Sequence, residues 1–166
     1  MLKTRPSGSP ILEGESATVS QEIAEIDERG RIHFLQRWTK KISWLHDLSS
    51  IEKETLAILI EPGRVSFRDW EPEGPRIIER YKELEGDTDN FEVLRLLQDR
   101  YQRLIISKDR RPYLGDAILT HLGLPTSRIA KSPVYISVFP DKIDVLSRGY
   151  RDQALIVGHP AINDLP

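Results

Sequence analysis

Glu25-Ile26-Asp27-Glu28-Arg29-Gly30-Arg31-Ile32-His33-Phe34 places an apolar, extended run on each side of a charged turn. Gly30 is the residue of this stretch that enters a positive-φ corner without a Cβ clash. Strand–turn–strand is therefore the expected local structure. Further along the chain, Ile105-Ile106-Ser107-Lys108-Asp109-Arg110-Arg111-Pro112-Tyr113-Leu114 repeats the stretch in altered form. Arg111 falls on Arg31 at an offset of 80, while Ser107 and Arg110 occupy the places of Asp27 and Gly30.

The flanks of the two stretches also correspond. After the first, Trp38, Ile42, Trp44, Leu45 and Leu48 recur at helical spacing, which predicts an amphipathic helix over 35–48. Leu56–Ile60, the corner Glu61-Pro62-Gly63-Arg64 and Val65–Arg68 then predict a β-hairpin, because Pro presets one corner and Gly accepts the other. After the second, Gly115–Leu122 predicts a short helix capped by Gly123, and Val134–Phe139, Pro140-Asp141-Lys142 and Ile143–Leu146 predict another hairpin. Ile60–Phe67 falls on Val138–Val145 with an offset of 78, so a two-residue difference between turn and hairpin reconciles the copies. Strand, basic turn, strand, helix and Pro-turned hairpin thus occur twice in one order.

Between the copies, Asp69–Pro75 is expected to break the chain. A helix is expected to begin at Pro75 and carry Ile77, Ile78, Tyr81 and Leu84. A second helix, capped by Asp87-Thr88-Asp89, is expected to carry Phe91, Val93, Leu94, Leu97, Tyr101 and Leu104. The resulting division is a disordered tail over 1–16, a first repeat over 17–70, a helical connector over 71–104, a second repeat over 105–150 and a C-terminal tail over 151–166. A copy of about 45 residues is too small to bury a good core alone, so the two are expected to pack as one intrachain pseudo-dimer. Leftover edge strands favour a homo-oligomer.

The chain resembles the MraZ family, which is built from two AbrB-like (SpoVT/AbrB, swapped-hairpin) units. Asp27-Glu28-Arg29-Gly30-Arg31 carries the family's turn motif in full, and Val65-Ser66-Phe67-Arg68-Asp69-Trp70 resembles its hairpin end. The resemblance covers roughly 18–150. It departs at Ser107 and Arg110, and at Leu35 and Gly115, where the family usually has proline after the turn strand. The resemblance implies an α+β fold of two AbrB-like β-α-β-hairpin repeats joined by a helical hairpin. It also implies basic turn residues that contact DNA in ring-like or dimeric assemblies that repress transcription.

Composition bounds this expectation. There is no cysteine, so disulfides, thiolate catalysis and Cys-ligated zinc are excluded. No apolar run approaches the ~18 residues of a membrane span, the start lacks an apolar signal region, and a cytoplasmic location, nucleoid-associated if DNA is bound, is the default. Phosphate-loop, Rossmann, serine-elbow and His-Glu-x-x-His motifs are all missing, so an enzyme is not expected, nor is a cofactor or a metal. The formal net charge of −2 makes no case for nucleic acid, but its distribution does. Arg100–Lys131 holds seven bases against two acids, whereas Arg68–Asp99 holds ten acids against five bases.

Arg29, Arg31, Lys108, Arg110 and Arg111 are therefore the candidate DNA contacts, since arginines on a turn can meet phosphates or a guanine edge. Asp27 and Gly30 are expected to shape the turn, with Asp27 pairing Arg31 across it. The competing reading is an oligomeric scaffold or protein-interaction module that keeps the fold without binding DNA. The altered second turn and the net negative charge favour that alternative.

Overall fold

The computed structural model describes residues 20–46, 48, 52–86, 89–127 and 130–156. The expected 1–16 tail and residues 17–19 of the expected first repeat lie outside this range. The described chain is α+β, a six-stranded antiparallel sheet with helices on both faces. The strands are β1 (Ser20–Ile26), β2 (Lys53–Leu59), β3 (Arg64–Asp69), β4 (Tyr101–Ile106), β5 (Ser132–Val138) and β6 (Lys142–Leu146), in the order β1-β5-β6-β3-β2-β4.

Both predicted hairpins are present, as β2–β3 and β5–β6. The first strand of each half, however, pairs with the hairpin of the other half. Ile26 sits opposite Ser132, and Ile106 sits opposite Lys53. Ile26 and Ile106 correspond at an offset of 80, and Lys53 and Ser132 at an offset of 79. At the centre β3 pairs with β6, where Ser66 faces Asp144, its counterpart at an offset of 78. The offset thus falls in two single steps along each half. The two-residue difference is split, one residue being lost before the hairpin and one within its turn. The aligned partner of Val138 is therefore Leu59, not Ile60.

Alternation along the strands makes two chemically different sheet faces. On one, Ala57, Leu59, Val65, Phe67, Val134, Ile136, Val138, Ile143 and Val145 join the main core. Trp38, Ile42, Leu45 and Leu48 cover this face from the first half, and Ile118, Leu119 and Leu122 from the second. The latter lie on or just after α4 (Gly115–His121). The other face carries Leu56 and Ile58 under α2 (Trp70–Glu85) and α3 (Asn90–Leu96), with Trp70, Ile78 and Val93 buried there. Tyr135 and Leu146 lie on the same face, with Tyr150 of α5 (Arg148–Ile156) packed on Leu146.

Several expectations are corrected. The helix over 35–48 contracts to α1 (Gln36–Thr39). Its apolar residues are buried or half-buried as the period implied. The Ser43 amide, however, donates to the Pro140 carbonyl at 3.0 Å and the Trp44 indole to the Asp141 carbonyl at 2.8 Å. The opposite hairpin turn captures a backbone donor that a continuing helix needs.

The connector's second helix stops at Leu96, and Tyr101–Leu104, expected to lie on it, joins Ile105-Ile106 in strand β4. The free edge of β2 offers a ladder that begins with the Leu59 amide on the Arg100 carbonyl at 2.8 Å, and this overrides the helix propensity of Gln102 and Arg103. The first connector helix begins at Trp70, not Pro75. Asp69 caps it through the Glu71 amide at 3.2 Å, and Gly74 seats the Trp70 indole where a methyl group would collide with the ring.

Residues 151–156 continue α5 rather than a tail, with Ser147 Oγ accepting the Tyr150 amide at 3.0 Å; the rest of the expected tail lies outside the described residues. Finally, Ile32–Leu35 is no ladder strand. Around it the chain makes isolated bridges, Ile26 to Ile32 and Arg31 to Tyr113.

Candidate functional site

The first basic turn is built on one carboxylate. Asp27 Oδ1 accepts the amides of Arg29 at 2.9 Å and Arg31 at 3.0 Å, and Oδ2 accepts Arg31 Nε at 3.0 Å. The Asp27 amide donates to the Arg31 carbonyl at 2.9 Å, and Gly30 closes the corner at φ 77°. The fourfold use of Asp27 arises because a carboxylate followed by a left-handed glycine turns the chain back on itself. Burial acts against the charged carboxylate. The Arg31 and Arg29 amides and the Arg31 guanidinium nevertheless hold Asp27 below the usual carboxylate range.

A group held low in the folded state stabilises above its unfolded pKa, and that contribution is lost as pH falls through the folded value. Asp27→Ala is therefore expected to cost about 1 kcal/mol near neutral pH, as loss of a comparable cap does. The difference from wild type should shrink as pH falls from about 4 downward. Urea denaturation at pH 7 and pH 3 measures both, and an equal difference at the two pH values rules out the carboxylate as cause.

The second turn reaches a similar shape by other means. Asp109 Oδ1 takes the Arg111 amide at 3.2 Å, and the Arg110 amide donates to the Ser107 carbonyl at 2.9 Å. Arg110 adopts φ 56° at the position of Gly30, the one non-glycine with positive φ among the described residues. Such a conformation costs on the order of 1–2 kcal/mol for a residue with a Cβ. One terminal nitrogen of Arg110 donates to the Lys108 carbonyl at 3.2 Å, while its Nε lies buried without an acceptor among the described residues.

The segments that follow the two turns run antiparallel against each other. The Ile32 amide donates to the Pro112 carbonyl at 3.3 Å, Phe34 to Arg110 at 2.8 Å and Leu114 to Gly30 at 2.9 Å. Phe34, Ile32 and Leu114 sink into the core beneath this pairing. The turns consequently stand at the two ends of one ridge, about four residues or 13 Å apart along extended backbone. Arg29, Lys108 and Arg111 are exposed, and Arg31 and Arg110 half-buried. The four candidate arginines and the lysine are thus all brought to this ridge, and Asp27 and Gly30 shape its first end.

Two ridge residues were missed in the sequence, Tyr113 and His33. They occupy the same place in the two halves, two positions after Arg111 and Arg31, and that correspondence was the signal available. Tyr113 is 60% exposed, with the Arg31 guanidinium carbon 5.6 Å from its ring centre. His33 is half-buried beside the second turn. Burial first, then the charges of Arg111 and Arg110, hold it below the ordinary histidine range, with Asp109 opposing.

Trp38 and His121 tie elements together. The Trp38 indole and the Arg37 guanidinium both donate to the Glu22 carboxylate, tying α1 to β1. His121 Nε2 lies 2.6 Å from the Glu61 carbonyl and 3.1 Å from that of Arg64, two acceptors that require it to carry the proton. With the Gly63 amide on the His121 carbonyl at 2.8 Å, this pins α4 to the β2–β3 turn. It mirrors the Ser43 and Trp44 contacts to the β5–β6 turn. Among the described residues, no group of three acidic or histidine side chains could hold a metal, and no helix is long and apolar enough to cross a membrane. No protein-family model matches the chain, and no curated protein matches it.

Proposed function

We propose that the chain is a DNA-binding transcriptional regulator of the MraZ/AbrB type, two AbrB-like β-α-β-hairpin units paired as an intrachain pseudo-dimer. The carrying observation is the ridge. Backbone pairing of 30–34 with 110–114 brings two basic turns together on one structure. The exchanged strand pairing and its stepped offsets support duplication of a unit whose first strand is completed by the other copy.

Exposed arginines and a lysine on rigid turns suit phosphate contact, and the Asp27-held Arg31 suits an oriented one. The acidic connector packs on the other sheet face, so the net charge of −2 does not describe the ridge. We further propose a homo-oligomer that repeats the ridge and adds weak contacts by avidity. The outer strands β1 and β4 carry exposed Ile23 and Ile105. A cytoplasmic, nucleoid-associated location follows from the same reading.

Mobility-shift titration with the chain's own upstream DNA at two salt concentrations tests the reading. Affinity should fall as salt rises, and the log–log slope should shrink by about 0.9 for each phosphate contact removed by Arg29→Ala and Arg31→Ala. No shift at low salt would leave the scaffold alternative standing. A clean monomer in solution mass measurement removes the oligomer.

A further inference from the structure

We propose that His33, Arg110 and Arg111 form a phosphate notch at one end of the ridge, in which a nucleic-acid phosphodiester and a proton on His33 bind together. This rests on the DNA-binding reading and assigns residues and regulation to the same ridge. Three features of the second turn carry it.

The first is the unanswered donor. Arg110 Nε–H is buried and meets no acceptor among the described residues, although the neighbouring terminal nitrogen is tied to Lys108. A buried guanidinium donor without an acceptor is costly, and an oxyanion against the exposed part of this half-buried side chain supplies the counter-charge that the guanidinium lacks.

The second is charge. Arg31 is neutralised within its own turn by Asp27 at 3.0 Å. Arg111, its counterpart, has Ser107 in the place of that carboxylate, and among the described residues its guanidinium has no ion pair; the nearby Asp109 gives Oδ1 to the Arg111 amide. The altered turn is therefore the more positive of the two. Replacement of Asp and Gly, which in the sequence counts against function, frees cationic groups at this end.

The third is the histidine. His33 lies between the Ile32–Pro112 and Phe34–Arg110 backbone hydrogen bonds, opposite Arg111, and the charged groups acting on it are Arg111, Arg110 and Asp109. Two guanidiniums disfavour a third positive charge while the notch is empty. A phosphodiester between them carries one negative charge that offsets much of this repulsion, and the imidazolium then becomes a further donor to the same anion. Tyr113 holds the matching position at the other end and has no such proton to take up, so the ridge has one proton-linked end.

Fluorescence anisotropy of a labelled duplex from the upstream region, read from pH 8 to pH 5.5 at fixed ionic strength with the full chain, tests the coupling. Wild-type affinity should rise by up to about tenfold per pH unit where one proton is taken up. His33→Gln should lose most of that rise. If His33→Gln binds with the wild-type pH slope, the notch is wrong while DNA binding stands. If wild type fails to bind at every pH in low salt, both readings fall together. A second measurement needs no variant: the His33 ring titration followed by NMR should move to higher pH when unlabelled duplex is added. An unmoved midpoint overturns the proposal.

Discussion

Arg64→Met is expected to destabilise the fold by about 3–5 kcal/mol, the range seen when one member of a buried ion pair is removed. Asp144 lies at the centre of the sheet, directly opposite Ser66, with its side chain only 6% exposed. Its Oδ2 meets the Arg64 guanidinium at 3.2 Å and the more distant Lys142 ammonium at 3.6 Å. Oδ1 has no partner among the described residues, so the carboxylate already depends on few interactions. Methionine keeps the apolar stem of Arg64 while leaving Lys142 to compensate the charge alone. Asp144→Leu combined with Arg64→Met should recover most of the loss, because the cost of a buried carboxylate left with only the more distant Lys142 disappears with the charge. Denaturant titration of both singles and the double completes the cycle. A double variant no more stable than Arg64→Met would show that the loss comes from packing.

Phe67→Ala should cost a similar ~3–5 kcal/mol, here through a cavity rather than a charge. Phe67 and Phe34 are both fully buried and meet edge to face, with ring centres 5.4 Å apart at 71°. Phe67 comes from the central strand β3, between Ala57 on β2 and Ile143 on β6. Its neighbours are fixed by two ladders, which limits how far the core can collapse into the vacated volume. Against the ~5–15 kcal/mol that holds an ordinary domain together, this is a large fraction. A fall in Tm of about 10 °C or more should be seen by circular dichroism. Phe67→Leu should recover part of it, and equal melting of Phe67→Ala and wild type would mean that the site closes completely. Because Phe34 donates its amide to Arg110 from directly beneath the ridge, the same loss should also loosen the seating of the second turn.

The parts of this protein that were legible in the sequence are those with local causes. Pro62-Gly63 and Pro140-Asp141 mark both hairpins because turn chemistry is decided within a single tight turn. Asp27 and Gly30 announce the first turn because a carboxylate and a positive-φ residue act on their own neighbours. The main errors share one cause, competition from a distant partner. Residues 40–46 have a helical apolar period, yet Pro140 and Asp141 take donors from Ser43 and Trp44. Tyr101–Leu104 suits a helix until the edge of β2 is beside it.

The site divides in the same way. Arginine clusters are visible in a string of letters, but burial of Arg110 Nε and the placement of His33 against Arg111 depend on two segments from opposite halves of the chain. The sequence by itself determined most of the elements, their recurrence in one order and the residues that carry charge, since each follows from chemistry spanning a few positions. Only the tertiary structure decided which strand completes which half, where the helices end and which face of the sheet each one covers. Those outcomes depend on backbone donors and buried charges finding partners far along the chain, and no local pattern records the choice.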